Sequence, residues 1–387
     1  MTSFYHLPEG VLEVIFSWLP ADSLVRFKCV NKSWYSLICA LINDPSFVSK
    51  QLHNTRNKSS ASLLLTRTCP HVGHNPARSY ALLTSFIDDG DKDQIRSVTE
   101  DINFPLRWSE WLLRYHCDGI ICLLKDKFGT EVVLCNPTLQ EFKLLPKSKN
   151  ARKLSCIGTG FGYDSRANCY KFVRILYHAK KVSAEVCTLG SDYWRGIKVS
   201  DDLVVDLAIT FQDYIYWQGV CYWMMLDNSL GDIILCFDMS DEVFHMIRPP
   251  KVSDYSSFGV WNDSFALFLC SEERENPELI SFEMWVMDDC LDVVKGACPL
   301  TKRLVFGPLL CCPVPLKFWK NDELLLVSGE DEKLLSYNLR TQKLRKIQAD
   351  GEIYMPFCFY VKSLVSLRVG ERSTRRRSKR RRIQLLQ

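Results

Sequence analysis

The sequence predicts an α+β protein in which a small module of three helices precedes a large all-β domain. Two patterns support this prediction. In the first fifty or so residues, apolar side chains recur every three or four positions, which is the spacing of one helix face. From about residue 60, short apolar or alternating runs are separated by Gly, Asn, Asp and Pro, as is typical of strands and turns. Aromatic residues make up 12% of the chain, which also favours β-structure.

The three helices have start and stop signals in the sequence. Pro8 suits a first helical turn, where its missing N–H does no harm, and Pro20 ends this helix. Asp22 is the predicted N-cap of the second helix and Asn31 that of the third, which ends at Asp44-Pro45. The apolar positions of the first helix are Val11, Leu12, Ile15, Phe16 and Leu19; those of the third are Trp34, Leu37, Ile38, Leu41 and Ile42.

The apolar set of this module is larger than so small a core can hide, because three short helices sit at the lower limit of independent stability. A contiguous apolar patch left exposed on a soluble protein is usually an interface. On this ground two interpretations stay open: docking of a partner, or packing against the large domain. The candidate interface residues are Leu7, Pro8, Leu12, Ile15, Leu19, Pro20, Leu24, Val30 and Trp34.

A loose unit recurs along the rest of the chain. It contains a turn, a strand with Gly and aromatic residues, a strand that ends in Asn or Asp, and a short closing strand. Copies run from Asp118-Gly119 to Pro146, from Gln218-Gly219 to Pro249, and from Asn321-Asp322 to Ile347. Repeats of roughly 45 to 50 residues with several strands each predict the blades of a β-propeller. The alternative is a large twisted β-sandwich.

Catalytic and cofactor chemistry finds little support. Cys69, His71 and His74 have no spacing typical of a zinc site, and the glycines of the segment 158–162 run into a strand instead of a helix that could hold a phosphate. No nucleophile elbow occurs. We therefore expect no cofactor, no metal and no enzyme activity in this chain.

The cysteines and apolar runs indicate the compartment. The 17 cysteines are odd in number and scattered in apolar runs, so we expect small buried hydrophobic residues instead of a disulfide framework. We also expect no signal peptide and no membrane span, since no apolar run approaches about 20 residues. These features predict a reducing compartment, the cytosol or the nucleus.

Positive charge is concentrated at the C-terminal end. The formal charge is +4, but eight Lys and Arg lie between Arg372 and Arg382, and without them 41 basic residues stand against 45 acidic ones. A block of like charges repels itself and stays disordered, and it serves as a nuclear-import signal, as a contact for an acidic surface such as nucleic acid, or as a solvated tail without a specific role. Because the rest of the chain is acidic and has no basic stripe with interleaved aromatic residues, nothing else supports nucleic-acid recognition, and nucleic acid is not the expected partner. The candidate nuclear-localisation residues are Arg375, Arg376, Arg377, Lys379, Arg380, Arg381 and Arg382.

The N-terminal module resembles the F-box of plant F-box proteins. The resemblance rests on Leu7-Pro8, Leu12, Ile15, Leu19-Pro20, Leu24, Arg26-Phe27, Val30, Lys32-Ser33-Trp34 and Leu37-Ile38. Asn31 departs from the plant pattern, which usually has Cys or Arg there, but it still suits a helix cap. The resemblance implies that the candidate interface residues bind a Skp-family adaptor and, through it, a cullin.

The β-domain resembles the F-box-associated domain of plants, which implies a kelch-like propeller that binds a protein substrate. The resemblance rests on the segments Gly160–Asp164, Leu189–Arg195 and Phe237–Phe244, and on Tyr360–Leu367, which matches the family's closing strand. The predicted organisation is an F-box at 5–52, a linker at 53–61, the β-domain at 62–369 and a basic tail at 370–387.

Within that family the chain looks most like the S-locus F-box and S-locus F-box-like group, whose members act in pollen self-incompatibility and recognise pistil S-ribonucleases. The resemblance implies a non-catalytic subunit that holds its substrate for ubiquitination. The alternatives are a protein-binding scaffold without ubiquitin transfer and a nuclear regulator that uses the basic tail.

Overall fold

The structure is a computed structural model, and it describes most of the chain between residues 7 and 368. The described residues are 7–58, 62–69, 78–87, 94–102, 111–126, 128–150, 155–178, 181–197, 199, 207–250, 255–272, 279–287, 300–310, 314–320, 322–328, 333–348 and 354–368. They form an N-terminal helical module and a large all-β domain, as the sequence predicts.

Four helices, one more than predicted, form the N-terminal module of the described residues. They are α1 (Glu9–Ser17), α2 (Ala21–Phe27), α3 (Lys32–Ile42) and α4 (Pro45–Lys58). Asn31 caps α3 as predicted, because its side-chain oxygen accepts a hydrogen bond from the backbone N–H of Trp34 at 2.8 Å. Asp22 is not the cap of α2; Pro20 holds that position, and Asp22 lies in the first turn.

Helix α4 has few apolar residues, so no stripe in the sequence reveals it. Its buried face is partly polar: the Asn54 side-chain amide donates to the carbonyl oxygen of Ser17 at 3.1 Å, and that of Gln51 donates to the carbonyl oxygen of Leu19 at 3.0 Å. Phe47 and Leu52 supply its buried apolar contacts. The helix extends through the first residues of the predicted linker.

The β-domain consists of short antiparallel strands in chain order. They are β1 (Ser62–Cys69), β2 (Arg78–Ile87), β3 (Gln94–Asp101), β4 (Leu112–Cys117), β5 (Ile120–Leu124), β6 (Val132–Asn136), β7 (Glu141–Leu144), β8 (Ser155–Asp164), β9 (Cys169–His178), β10 (Lys181–Thr188), β11 (Arg195–Ile197), β12 (Leu207–Trp217), β13 (Val220–Asp227), β14 (Gly231–Asp238), β15 (Phe244–Ile247), β16 (Tyr255–Trp261), β17 (Ser264–Glu272), β18 (Leu279–Met287), β19 (Leu300–Leu310), β20 (Val314–Lys320), β21 (Glu323–Val327), β22 (Leu334–Asn338), β23 (Leu344–Gln348) and β24 (Tyr354–Phe359).

The described strands group into six four-stranded blades of a β-propeller. Blades 1 to 5 are β4–β7, β8–β11, β12–β15, β16–β19 and β20–β23, and the closing blade contains β24, β1, β2 and β3 in that order. Blade 5 and the closing blade join in one eight-stranded sheet, because β23 runs parallel to β3 with Ile347 opposite Ile95. Each predicted repeat unit covers the last three strands of one blade.

Apolar clusters fill the contacts between neighbouring blades. Between blades 2 and 3, Trp223 packs with Val173 and Leu235. Between blade 5 and the closing blade, Leu63 packs with Trp319. Because each pair of neighbouring blades buries such a cluster, the blades form a closed ring, and the alternative of a two-sheet sandwich is wrong.

The ring closes at a different place from the one predicted. Strand β24 pairs with β1, with Phe359 opposite Leu63. The segment Tyr360–Leu367, predicted as the closing strand, comes after β24 and is not a strand. It leaves the sheet and runs between the propeller and the helices.

Candidate functional site

Helix α1 presents an apolar face to solvent. Val11, Val14, Ile15 and Trp18 are each between 43% and 48% exposed, and Leu7, just before the helix, is 42% exposed. At about 100° per residue these positions fall on one side of the helix axis, opposite Phe16, which is 1% exposed. We call these five residues the α1 face. They are large apolar side chains, close together in sequence, that the helical module leaves exposed.

The structure separates the nine candidate interface residues into three groups. Leu7, Pro8, Ile15, Pro20 and Val30 are exposed. Leu12, Leu19 and Trp34 are partly buried, whereas Leu24 is 1% exposed.

Leu24 and Trp34 have structural roles in the helical module. Leu24 lies in the core with Phe16 and Ile38, so it is not part of an exposed surface, and its role as an interface residue stays a prediction. The Trp34 ring packs against Phe16 and Phe27, with ring centroids 5.2 Å and 5.7 Å away. Trp34 therefore stabilises the module whatever else it contacts.

Sequence reasoning missed four exposed apolar residues of the helical module. Val11, Val14, Trp18 and Tyr35 are exposed but are not among the candidate interface residues. Val14 and Trp18 could have been identified from helix geometry, because the positions one before and three after Ile15 lie on the same side of the helix.

A cleft separates α1 and α2 from the closing blade. Its volume is about 480 Å³, and its lining includes Trp18, Pro20, Arg26 and Leu83. At its edge, Lys362 Nζ lies 3.1 Å from Asp22 Oδ2.

Charged groups connect the helical module to the propeller. Lys362 Nζ also lies 2.5 Å from Glu100 Oε1 of β3. Burial lowers the pKa of Lys362, but its bonds to Glu100 and Asp22 outweigh burial and raise the pKa above its usual value. The ammonium group therefore stays charged between the two carboxylates at physiological pH.

A second ion pair lies at the turn between β4 and β5. Arg56 of α4 bonds to Asp118, and the hydroxyl of Tyr170 in blade 2 donates to the other oxygen of the same carboxylate at 2.9 Å. Asp118 thereby links the helical module with two blades.

Strand order determines which end of the propeller faces the helices. Asp118 and Leu139 lie in the turns after the first and third strands of blade 1, and both contact the helical module. The connections after the second strands and between blades therefore lie at the opposite rim. Several of these connections, and the acidic stretches at 88–91, 273 and 288–289, fall outside the described residues.

Two predicted features cannot be placed. His71 and His74 of the metal-like cluster lie outside the described residues, as do the basic positions from Arg375 to Arg382. Within the described ranges, no three His, Cys, Asp or Glu side chains come together to hold a metal ion. None of the described helices is long and apolar enough to cross a membrane.

Several curated proteins resemble this chain. A putative F-box protein of Arabidopsis thaliana is 29% identical over 297 residues, which cover 73% of this chain and 68% of that protein. An F-box protein of the same plant is 25% identical over 401 aligned residues, covering 93% and 84%. An F-box/kelch-repeat protein, also from Arabidopsis thaliana, is 26% identical over 263 residues, covering 65% and 67%.

Solved structures resemble the chain only distantly. The Dos1 propeller covers 72% of this chain at 8% identity with a TM-score of 0.36, and the match takes in 65% of that structure. YCF48 from Cyanidioschyzon merolae covers 75% at 7% identity with a TM-score of 0.41, and the match takes in 87% of it. At these scores the fold assignment rests on the strand pairing described above.

Models of two domain families match the chain. The F-box domain matches residues 4–44, which hold α1, α2 and α3. The F-box associated beta propeller domain matches residues 98–367, well over half of the chain. The chain therefore belongs to the family of F-box proteins that carry an F-box associated beta propeller domain.

Proposed function

We propose that this protein is the substrate-recognition subunit of a Skp-cullin-F-box ubiquitin ligase. F-box domains generally bind a Skp-family adaptor, and F-box proteins are generally non-catalytic subunits. In this proposal the helices bind the adaptor and, through it, a cullin, while the propeller holds a target protein for ubiquitination and degradation by the proteasome. The observation that carries it is the exposed α1 face.

The geometry of α1 supports an adaptor-docking role. Ile15 and Trp18 stand on the solvent side of the helix, while Phe16 anchors the opposite side in the core. A helix held this way can present its free apolar face to a groove of a partner without unfolding. Large exposed side chains grouped on one face are typical of an interface.

The chemistry in this proposal is positional. The chain binds a target near a ubiquitin-loaded enzyme that belongs to another subunit, and its own residues form no covalent bond to the target. Holding two reactants together raises the rate of their reaction by replacing an encounter in solution with a local one. The contribution of this chain is therefore the fixed distance and angle between its helices and its propeller.

The substrate that we propose is a basic secreted ribonuclease of the pistil. This proposal includes assignment of the chain to the S-locus F-box or S-locus F-box-like group. Two considerations support this finer proposal: the resemblance of the chain to the S-locus group within that family and the excess of acidic over basic residues ahead of the basic tail. Opposite net charges speed the encounter of two proteins. We assign substrate recognition to the rim of the propeller that faces away from the helices. We also propose that the protein acts in the cytosol and that its basic tail directs a fraction of it to the nucleus.

Adaptor binding is tested with one substitution on the α1 face and a matched control. The full chain should bind a purified Skp-family adaptor, and Ile15→Glu should weaken binding at least about tenfold, because a charge is then buried in an apolar interface. Val305→Glu, at a position 55% exposed on blade 4, should bind like the native chain. A well-folded native chain that does not bind any Skp-family adaptor would overturn the proposal.

Target turnover separates the ligase from a scaffold. If Ile15→Glu keeps target binding but abolishes target turnover in cells, the ligase role holds; unchanged turnover indicates a scaffold without ubiquitin transfer. The finer proposal is tested by capture of a pistil S-ribonuclease by the purified full chain. Failure to capture ribonucleases of several haplotypes would remove that substrate and leave the ligase role standing.

A further inference from the structure

The segment 360–368 connects the propeller to the helical module. It begins directly after β24, where the N–H of Tyr360 donates to the carbonyl oxygen of Ser62 at 2.9 Å. Its next residues are not paired in a sheet. We call this stretch the clamp segment, because its residues contact the propeller and, at Lys362 and Leu364, also the helices.

On the propeller side, the clamp segment is bonded to blade 1. The side-chain amide of Asn136, which is fully buried, donates to the carbonyl oxygens of Ser363 at 3.1 Å and Val365 at 2.8 Å. Glu141 accepts from the backbone N–H of Leu367 at 2.8 Å. The Leu367 side chain, 1% exposed, packs in the cluster between blades 1 and 2.

On the helical side, the clamp segment inserts one leucine into the core of the F-box. Leu364 is 0% exposed and lies in the cluster formed by Phe16, Leu24, Ile38 and Phe47. Its neighbour two residues earlier, Lys362, bonds to Asp22 of α2. Leu364 therefore serves as a core residue of a module from which it is separated by the whole propeller sequence.

We propose that Leu364 positions the adaptor-docking face, so that this face is built only when the C-terminal end of the propeller is in place. Strand β24 closes the ring by pairing with β1, and Leu364 follows five residues after the end of that strand. Closure of the ring therefore places the Leu364 side chain next to the helices, where it completes the helical core. The part of this inference that concerns the adaptor rests on the proposed function.

The physical reason is the small size of the helical module. Helices α1 to α4 span about fifty residues, and a module of that size has little apolar core to spare. Leu364 shares a cluster with Phe16, which lies on the side of α1 opposite Ile15 and Trp18. A void at Leu364 would loosen the packing that holds α1 with its apolar face outward.

The same contacts set the direction of the F-box relative to the propeller. The clamp segment fixes α2 through Lys362, and Asp118 fixes α4 through Arg56. Two connections at different helices, together with the buried Leu364, define one orientation of the helical module. A chain whose ring is open or truncated would then lack both the docking face and its orientation.

The test compares two equally buried leucines of the clamp segment in the full chain. Leu364→Ala should speed hydrogen exchange of the amides in α1 and α3 about tenfold or more, because it opens the helical core, and should leave β5 and β9 unchanged. Leu367→Ala should speed exchange in blades 1 and 2 and leave α1 unchanged. Leu364→Met, which keeps most of the side-chain volume, should show native exchange rates in α1 and α3.

Adaptor affinity is the second readout. Leu364→Ala should raise the Kd for a Skp-family adaptor about tenfold, since the competent form is less populated, whereas Leu367→Ala and Leu364→Met should stay within about twofold of the native value. Unchanged α1 exchange in Leu364→Ala, or the same loss of affinity in both alanine variants, would overturn the inference. A native chain that binds no adaptor would overturn the proposed function, while the exchange comparison would still decide the role of Leu364.

Discussion

Lys171 Nζ lies 2.6 Å from Asp164 Oδ2, and both side chains are almost completely buried at the edge of blade 2. The same ammonium group lies 2.8 Å from Glu242 Oε1 and donates to the carbonyl oxygen of Met239 at 2.7 Å. Glu242 and Met239 belong to the turn between β14 and β15. One lysine of blade 2 thus holds a turn of blade 3, and the two blades are joined by charge as well as by the Trp223 cluster.

Removing this lysine should be costly. Lys171→Met leaves Asp164 without its cation in a buried position, and breaking a buried pair in this way typically costs about 3–5 kcal/mol. The double variant Lys171→Met, Asp164→Asn should lose less free energy of unfolding than Lys171→Met, because residue 164 then carries no uncompensated buried charge. Urea unfolding followed by tryptophan fluorescence measures both. Lys302→Met is the control: its pair with Glu283 is partly exposed and should be worth less than about 1 kcal/mol. Equal losses for Lys171→Met and Lys302→Met would contradict the buried-pair interpretation.

Acid should weaken the same contact. Burial raises the pKa of Asp164, but bonds from Lys171, the Ala167 N–H and Ser240 outweigh it and lower the pKa to about 2. The unfolded chain therefore takes up the proton first as the pH falls, and the stability from this carboxylate is complete above about pH 4 and lost towards about pH 2. The amount is on the order of 2 kcal/mol.

The pH dependence is measured as urea midpoints of the native chain and Asp164→Asn between pH 7 and pH 2.5. The native chain should be the more stable at neutral pH, and the gap should narrow below about pH 4. The lowered pKa of Glu242, where bonds from Arg195 and Lys171 outweigh burial, acts in the same direction in both proteins and does not cancel the difference. A gap that stays constant down to pH 2.5 would show that Asp164 is not the responsible group.

Local signals in the sequence predicted those parts of the fold that depend on neighbouring residues. The cap at Asn31 and the turn at Asp118-Gly119 follow from residue type and occur where expected. Helix α4 was missed because Gln51 and Asn54 bury polar groups that find partners far away in sequence. No periodicity reveals such partners.

The clamp segment shows a second limit. The resemblance to the F-box-associated domain implied a closing strand at Tyr360–Leu367. In the structure the segment is not a strand, because Leu364 packs in the helical core while the backbone at Ser363 is bonded to Asn136 of blade 1. Likewise, α1 carries apolar residues on both sides, and only the tertiary structure shows that Phe16 is covered and Ile15 is not.

The glycines of β8 should resist substitution because of close packing between blades. A methyl group at Gly162 would overlap the ring of Tyr216, and one at Gly160 would lie 2.8 Å from Trp223. Gly162→Ala should therefore destabilise the protein by about 1–3 kcal/mol, as overpacking usually does. Gly196→Ala on β11, where no atom lies within 4 Å of the added methyl group, should change stability by less than about 1 kcal/mol. Comparable unfolding midpoints for the two variants would contradict the packing argument.

Cysteine reactivity should follow burial. Among the described residues, Cys29 is exposed, whereas Cys122 and Cys135 are buried. Burial raises the pKa of the Cys122 thiol well above its usual value and that of Cys135 to about 12.

The thiolate is the reactive form, so brief treatment with iodoacetamide at pH 8 should modify Cys29 at least about a hundredfold faster than Cys122 or Cys135. Mass mapping of peptides assigns each site, and Cys29→Ser should remove that peptide's signal without exposing the buried pair. In urea the three thiols should react at similar rates, because the difference comes from the fold. Fast modification of Cys122 in the native chain would mean that blade 1 opens far more readily than its buried contacts with blade 2 and the closing blade imply.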